Sequence, residues 1–327
     1  MNPVSFRCHF AADIEKFVSH KRALGYKYDT QIRVLKEFDT FCADIYPEEH
    51  TLSRKLLLHW AKRIPAESVG TQRIRVTAIR QFVLFARQLG HDAYMISLAM
   101  LPSYQRYTPY IFSEEELTLL FDRIDSCQYW PANPLRHREY ALLFRLLYCC
   151  GFRVSEVCHM KVRDWREDRG LLTVNAGKYD RERQVPLAPD IALRTRDYVG
   201  STHRFSTPET YLFPSHKGPH LSKQAVYGSF RQFLWQAGIS HGGKGKGPRV
   251  HDLRHTFAVH RLKQWVENGC DINASLPILK TYMGHTHLRQ TAYYLRLTAD
   301  VFPSVLSAVE SAFPNLVPET GERHENN

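Results

Sequence analysis

Apolar residues recur at helical spacing along most of this chain, and glycine or proline residues end many of the resulting segments. In residues 1–100 the pattern predicts only helices, for example one from Ser68 to Leu89 that stops at Gly90. One stretch differs, because Leu171 to Leu187 has β-type residues on both sides of a polar turn, which is typical of a hairpin. The sequence therefore predicts a mainly α-helical protein with a small antiparallel β-sheet.

A proline-containing segment, Leu101 to Pro109, predicts a boundary between two domains, for which 327 residues are sufficient. Shortly after it, Ser113 and Glu116 have the spacing of a capping box and predict the start of a new helix. We therefore predict a helical domain over residues 1–100, a linker over 101–109, a second domain over 110–315 and a polar tail over 316–327. Helices of the second domain are predicted over Arg138 to Cys150, Asp190 to Val199, Ser222 to Ala237, His251 to Asn268 and Pro303 to Phe313.

The chain is basic, with a formal net charge of +11, and this excess suggests a polyanionic partner such as nucleic acid. Residues 1–107 hold 16 Lys and Arg against 10 Asp and Glu, so the basic excess is denser there than in the longer remainder. Within the predicted helix from Ser68, the residues Arg73, Arg80 and Arg87 recur every seven positions and share one side. For this helix side, contact with a DNA backbone and ordinary solvent exposure are about equally compatible with the pattern.

A second basic segment is the glycine-rich loop that holds Lys244 and Lys246. The loop lacks the pattern of a nucleotide-binding P-loop, so contact with DNA phosphates and plain solvent exposure both stay open for it. The sequence also contains no apolar run long enough to span a membrane, and its first ten residues do not have the layout of a signal peptide. The sequence has seven cysteines, an odd number, and no two of them have C-x-x-C spacing. This pattern predicts reduced thiols in a cytoplasmic protein.

Polar residues of the second domain form an ordered set that fits phosphoryl transfer to a tyrosine. A phenol with a pKa of about 10 is a poor nucleophile at neutral pH and needs cationic and hydrogen-bonding help. Two arginines suit the charged phosphate oxygens, a lysine can protonate the leaving 5′-oxygen, and a histidine can relay a proton or bind the phosphate. The candidates for these roles are Arg153 at a helix start, Lys178 on the hairpin turn, His251 and Arg254 on one side of a helix, His285 at a turn and Tyr294 on the next helix.

The segments around these candidates are distinctive in amino-acid sequence as well as in order. They are Cys150 to Val157 (CGFRVSEV), Gly177 with Lys178, Arg183 to Leu187 (RQVPL), His251 to Ala258 (HDLRHTFA), Gly284 with His285, and Thr291 to Tyr294 (TAYY). This set resembles the tyrosine recombinases, a family of phage integrases, bacterial dimer resolvases and mobile-element recombinases. The likeness spans about residues 113–297, whereas residues 1–107 share only a helical, basic character with the family.

The resemblance implies a fold and a role for each candidate. The fold would be a SAM-like helical core-binding domain followed by the recombinase catalytic domain. The implied roles are nucleophile for Tyr294, phosphate clamp for Arg153 and Arg254, general acid for Lys178, and proton transfer and phosphate binding for His251 and His285. Glu156 and Asp252 would support the arginines and their helix without reacting. The reaction would need neither a cofactor nor a metal.

The resemblance also implies partners and a course of reaction. The partners would be double-stranded DNA recombination sites and other protomers of the same protein, assembled as a tetramer on DNA. Strands would exchange through a 3′-phosphotyrosyl intermediate and a Holliday junction, most simply for a mobile element. The predicted helix Pro303 to Phe313 would be a candidate for docking on a neighbouring protomer.

Alternatives to this interpretation stay open from the residues alone. Tyr293 adjoins Tyr294, and because neighbouring helical residues point about 100° apart only one of them can face the phosphate. The distance along the chain from His285 favours Tyr294. His251 and His255 have the spacing of a zinc-binding helix, but no third ligand is evident. A topoisomerase IB-like nicking-closing enzyme and a non-catalytic DNA-binding protein with the same fold are the other classes.

Overall fold

The computed structural model describes residues 5–103, 107–175, 182–243 and 247–302. The chain divides into two compact units, Met1–Tyr107 and Thr108–Asn327. We call them the first and the second unit. Helices dominate the described residues of both, and a small antiparallel sheet lies in the second, so the predicted fold class is confirmed.

The first unit is a helical domain with a phenylalanine-rich core. Its helices are α1 (Ala11–Ala23), α2 (Asp29–Ile45), α3 (Arg54–Ala61) and α4 (Val69–Gln88). The buried ring of Phe82 on α4 lies 5.8 Å from that of Phe17 on α1 and 6.4 Å from that of Phe38 on α2. Because the three rings come from three helices, burying them from water requires these helices to pack together.

A buried ion pair fixes the start of α4. The Nε of Arg75 donates to Glu67 Oε1 at 2.9 Å, and both side chains are about 5% exposed. The same guanidinium donates to the carbonyl oxygens of Trp60 and Lys62 and lies 4.6 Å above the Trp60 ring. A buried charge is stable only when its donors and acceptors are satisfied, so this cluster ties α4 to the end of α3.

The second unit contains the remaining helices. They are α5 (Glu114–Asp125), α6 (Arg136–Cys149), α7 (Val154–His159), α8 (Pro189–Thr202), α9 (Lys223–Gln236), α10 (Asp252–Glu267), α11 (Ile272–Met283) and α12 (Leu288–Val301). Helix α5 begins with the predicted capping box, since Ser113 Oγ accepts from the Glu116 backbone and Glu116 accepts from the Ser113 backbone. The centre of the unit is α6, where Phe144 is buried against two phenylalanines of α9.

The sheet consists of β1 (Trp165–Arg166), β2 (Leu171–Val174) and β3 (Arg183–Pro186), in that order and antiparallel. Strands β2 and β3 form the predicted hairpin, and their register pairs Leu172 with Val185, which are both fully buried. The turn between them, residues 176–181, lies outside the described residues. Strand β3 is the edge from which Arg183 reaches the site described below.

A glycine turn connects the central helix α6 to the candidate residues. Gly151 has a φ of +61°, a left-handed conformation that favours glycine. A Cβ built at this position would lie 2.5 Å from a ring atom of Phe257 on α10, so there is no room for a side chain. The turn therefore allows α6 and α10 to pack closely while the chain reverses towards Arg153.

The cysteines and the possibility of a membrane-spanning helix were also considered in the sequence. All seven cysteines are free thiols. Among the described residues, no helix is both long enough and apolar enough to cross a lipid bilayer.

Candidate active site

Arg153 stands at the start of α7, one turn from the carboxylate that orients it. Glu156 Oε2 accepts from the Arg153 backbone at 2.8 Å, and Glu156 Oε1 accepts from Arg153 Nη1 at 2.7 Å. Nη2 of Arg153 donates to the carbonyl of Gly284 at 3.2 Å. The side chain remains 38% exposed, so its guanidinium is held from one side and faces solvent on the other.

Glu156 also binds a second arginine, which comes from the sheet. The guanidinium of Arg183 on β3 donates to both carboxylate oxygens of Glu156, at 3.0 and 2.8 Å, and its Nε donates to the carbonyl of Tyr282. Burial alone would raise the pKa of the Glu156 carboxyl, but hydrogen bonds and charge from Arg183, then from Arg153, lower it to about 2. Glu156 therefore stays ionised and joins α7, β3 and the end of α11.

Arg254 on α10 is the innermost charge of the site and is 2% exposed. Its guanidinium donates to the carbonyl oxygen of Gly151, to that of Met283 at 2.8 Å and to His285 Nε2 at 2.9 Å. Burial, and next the positive charge of Arg153, lower the pKa of Arg254 to about 10, so it remains a cation at neutral pH. These acceptors are neutral, which leaves the charge of Arg254 oriented but not neutralised.

The partners of His285 determine its protonation state. Because an arginine can only donate, His285 Nε2 must be the acceptor of the bond from Arg254. The proton of the neutral ring is then on Nδ1, which lies 2.8 Å from the hydroxyl of the buried Thr291. Burial and the charge of Arg254 lower the pKa of His285 to about 3, in agreement with a neutral ring. Thr291 begins the segment TAYY noted in the sequence, but no role was predicted for it; the structure shows that it sets the orientation of His285.

The two adjacent tyrosines of α12 differ in exposure. Tyr294 is 3% exposed, its ring is stacked on that of His285 with 6.0 Å between centroids, and its hydroxyl lies 3.0 Å from His255 Nδ1. Tyr293 is 42% exposed. Burial raises the pKa of the Tyr294 phenol, while the charge and hydrogen bonding of Arg254 oppose that rise. Tyr294 is thus the tyrosine whose hydroxyl adjoins the cationic cluster.

Two further histidines of the α10 start lie beside this pair. The ring of His251 meets that of His255 edge to face, with 4.8 Å between centroids. Burial, and then the charge of Arg254, lower the pKa of His251 to about 4, and burial and His251 lower that of His255 to about 3. Both rings are therefore neutral at physiological pH. No cluster of three or more metal-binding side chains forms anywhere in the described part of the chain.

The charges of the site favour a phosphate. Glu156 is ion-paired with Arg153 and Arg183, whereas Arg254 bonds only neutral acceptors, so these four side chains carry a surplus of two positive charges. Buried cations without counter-ions are costly, and an anion placed between them would relieve that cost. A phosphodiester next to the Tyr294 hydroxyl would have its charge stabilised by preorganised donors.

The structure brings five of the six candidate catalytic residues together, namely Arg153, His251, Arg254, His285 and Tyr294. Lys178, Lys244, Lys246 and the predicted helix Pro303 to Phe313 lie outside the described residues. Arg73, Arg80 and Arg87 belong to α4 of the first unit. Arg87 donates to the carbonyl of Ala93 at 2.7 Å, so this arginine closes the end of its own helix.

The depressed pKa of Glu156 predicts a defined pH dependence of stability. Because the pKa is lower in the folded chain than in the unfolded chain, ionised Glu156 stabilises the fold above about pH 4.3, and this contribution is lost as the pH falls towards 2. We expect Glu156→Gln to lower the free energy of unfolding by roughly 3 kcal/mol at pH 7 and by progressively less below pH 4. Denaturant unfolding of both proteins across this pH range measures the difference.

Glu209 provides the matched control for that measurement. It also contacts two cations, Lys161 and Arg163, but its side chain is 57% exposed. Solvent screening makes such pairs weak, so Glu209→Gln should change stability little at any pH. A Glu156→Gln protein with a constant stability difference from pH 7 to pH 2 would contradict the assignment of Glu156 as a permanently ionised partner.

Comparison with known proteins places this site in a family context. The sequence model of the phage integrase family matches residues 111–300. Among similar proteins, y4rB of Sinorhizobium fredii, which is named as an integrase/recombinase, is 28% identical over 308 residues, covering 92% of this chain and 97% of that protein. The tyrosine recombinase XerA of Pyrococcus furiosus is 26% identical over 291 residues, covering 88% of this chain and 90% of XerA.

Solved structures show the same architecture. The Tn1549 transposon integrase, solved in complex with circular intermediate DNA, superimposes with a TM-score of 0.63. The match covers 85% of this chain and 93% of the integrase, at 16% identity, and therefore establishes the likeness of fold alone.

Proposed function

This chain belongs to the phage integrase family and is a tyrosine recombinase, and from that membership we propose that it cleaves and rejoins DNA strands through a covalent link to Tyr294. In the proposed reaction the Tyr294 oxygen attacks a phosphodiester and forms a 3′-phosphotyrosyl bond, while the 5′-oxygen leaves with a proton. The bond energy stays in the intermediate, and a 5′-hydroxyl of another strand later displaces Tyr294.

One observation carries this proposal, namely the position of the Tyr294 hydroxyl beside the surplus positive charge of the site. The neutral His285 stacks on the Tyr294 ring and accepts from Arg254, so the phenol and the buried guanidinium share a neighbour. A nucleophile that adjoins fixed cations is what phosphoryl transfer needs, because the catalyst mainly positions the phosphate and stabilises its charge.

The other residues take the roles that the family resemblance implies, and for the two arginines exposure supports them. We assign Arg153, which is partly exposed, and Arg254, which forms the floor of the site, to the non-bridging phosphate oxygens. His251 and His285 assist proton transfer and hold the phosphate. Lys178 is proposed as the acid that protonates the 5′-oxygen, an assignment that rests on the sequence resemblance because this residue lies outside the described part of the chain.

We further propose that the protein works as a tetramer on two DNA sites and serves a mobile element. Four protomers would exchange strands in pairs through a Holliday junction, and residues 303–313 would dock on a neighbouring protomer. Support comes from two similar proteins, the integrase/recombinase y4rB and the Tn1549 transposon integrase solved with circular intermediate DNA.

The test that separates a recombinase from a nicking-closing enzyme uses two DNA sites. Labelled duplexes that carry the ends of the element encoding this protein are incubated with it in pairs, and the products are resolved on native and denaturing gels. Exchanged strands and a junction intermediate are the expected result. Relaxation of supercoiled DNA without exchange would instead indicate topoisomerase-like activity, and binding without any covalent product would indicate a non-catalytic protein.

The first unit offers a groove for DNA contact that refines the prediction for α4. Its lining includes Lys21, Gln31, Arg73, Thr77 and Gln81. Arginine and glutamine side chains of this kind read base edges or bind phosphates, and the 59% exposed Ile74 beside them can contact a thymine methyl group. We propose that this groove, defined by those residues, faces DNA through Arg73, whose Nη1 also donates to the carbonyl of Pro102 at 3.1 Å, whereas Arg87 lies outside the groove lining.

Replacing Arg73 should therefore weaken DNA binding more than replacing Arg87. We expect Arg73→Ala to lower affinity several-fold and, if Arg73 binds a phosphate, to reduce the slope of log affinity against log salt by about one. Arg87→Ala serves as the control on the same helix, because Arg87 is not among the residues that line the groove. Fluorescence anisotropy at several salt concentrations measures both. Equal losses for the two variants would argue against the groove as the binding face.

A further inference from the structure

His255 is a partly buried histidine that has no role in the assignments above. It follows Arg254 on α10, and its Nδ1 lies 3.0 Å from the Oη of Tyr294. The two rings are 5.5 Å apart between centroids. This is a hydrogen bond to the very atom that would attack DNA, so the side chain touches the reacting group directly.

We propose that His255 is the general base for Tyr294, a proposal that rests on the proposed function. As the Tyr294 oxygen forms its bond to phosphorus, the phenolic proton moves to His255 Nδ1, and the bond from phosphorus to the 5′-oxygen breaks. In the second half of the reaction the incoming 5′-hydroxyl gives its proton back to the acid that protonated the leaving 5′-oxygen and displaces Tyr294, and the proton on His255 returns to the phenolic oxygen. No proton is lost or gained by the His255–Tyr294 pair over the full cycle.

The other two histidines of the site are less well placed for this step. The lone pair of His285 Nε2 is taken by Arg254, its Nδ1 bonds Thr291, and it presents its ring face to Tyr294. His251 contacts the ring of His255. Among these three imidazoles, only that of His255 has a nitrogen within hydrogen-bond distance of the Tyr294 hydroxyl in the described site.

The surroundings of His255 keep its ring uncharged before DNA binds. The groups that face it are His251 and Arg254 from α10, Tyr294 from α12, and His285 from the turn before α12. Burial and these positive and neutral neighbours favour the uncharged imidazole at neutral pH. A phosphodiester between the arginines would bring a negative charge into the site, which favours the protonated ring as the phenol loses its proton.

The test compares variants that keep or remove basicity at this position. His255→Asn retains a hydrogen-bond acceptor close to the place of Nδ1 but cannot take up a proton, and His255→Gln is the second variant if the first does not fold. With a nicked suicide duplex, we expect both to lower the rate of covalent attachment by about 100-fold or more, with DNA affinity unchanged. His260→Asn is the matched control, since His260 lies on the same helix and bonds Tyr148 instead.

A fluorinated tyrosine at position 294 distinguishes two possible roles of His255, a general base and a residue that only positions the phenol. The phenol of this fluorinated tyrosine ionises near neutral pH and therefore needs no base. If His255 removes the proton, the fluorinated nucleophile should recover most of the rate that His255→Asn loses. Wild-type rates in His255→Asn, or an equal loss with both nucleophiles, would overturn the base assignment while leaving the proposed function intact. Absence of any adduct with the unmodified protein would overturn the proposed function, and this inference with it.

Discussion

Replacing Tyr294 with phenylalanine is expected to abolish covalent attachment to DNA, with the adduct falling below detection on a denaturing gel. The change removes the hydroxyl that would form the phosphotyrosyl bond. It retains the ring, which is 3% exposed and packs on His285, and loses one hydrogen bond worth about 1 kcal/mol. Folding and DNA affinity should therefore stay close to those of the unmodified protein, so the defect lies in the chemical step.

The neighbouring tyrosine supplies the control for this experiment. Tyr293 is 42% exposed, and Tyr293→Phe should form the adduct at the normal rate. The same nicked, labelled duplex and the same gel serve for all three proteins, and a gel shift measures binding in parallel. An adduct that persists in Tyr294→Phe, or that disappears only in Tyr293→Phe, would assign the nucleophile to the other tyrosine.

The second large effect concerns Arg254, for which even lysine should be a poor replacement. The guanidinium makes separate bonds to Gly151, Met283 and His285 from a buried position. A single ammonium cannot reach these three acceptors and also present paired donors to a phosphate. We expect Arg254→Lys to slow cleavage by about a thousandfold, in the range found when a fixed transition-state donor is removed.

Arg261 lies two turns further along the same helix and provides a matched substitution. Its Nη1 bonds Gln264 at an exposed position, so Arg261→Lys should cleave DNA at the normal rate. Single-turnover cleavage at saturating protein separates this chemical effect from weaker binding, and thermal unfolding checks that each variant is folded. A folded Arg254→Lys protein that cleaves within about tenfold of the normal rate would remove Arg254 from the phosphate clamp.

The catalytic candidates could be predicted from the sequence because each lies in a short local pattern. Arg153 follows a glycine that ends an apolar helix, and His251 and Arg254 are separated by about one helical turn, so chain spacing alone predicts their placement. The sequence also predicted a helix that carries Tyr294, which is α12, and a hairpin, which β2 and β3 confirm.

The partners that orient these residues could not be predicted in the same way, because they are distant in the chain. Arg183 reaches Glu156 across 27 residues, and His255 meets Tyr294 across 39. Such contacts depend on how β3, α10 and α12 pack, which apolar periodicity does not specify. Arg75 illustrates the same limit in the first unit, where a charge on a predicted helix is buried by Glu67 and two backbone carbonyls.

The ion pair between Arg183 and Glu156 has a further consequence for the hairpin. Arg183 is held by both carboxylate oxygens and by the Tyr282 carbonyl, and a Cβ at Gly284 would lie 2.7 Å from its guanidinium. The start of β3 therefore cannot move without breaking these contacts of Arg183. Lys178 precedes Arg183 by five residues, so the Cα atoms of the two residues can be no more than about 17 Å apart. The number of residues between Lys178 and Arg183 therefore limits how far the proposed acid can lie from the site, so hairpin length as well as residue identity bears on its availability there.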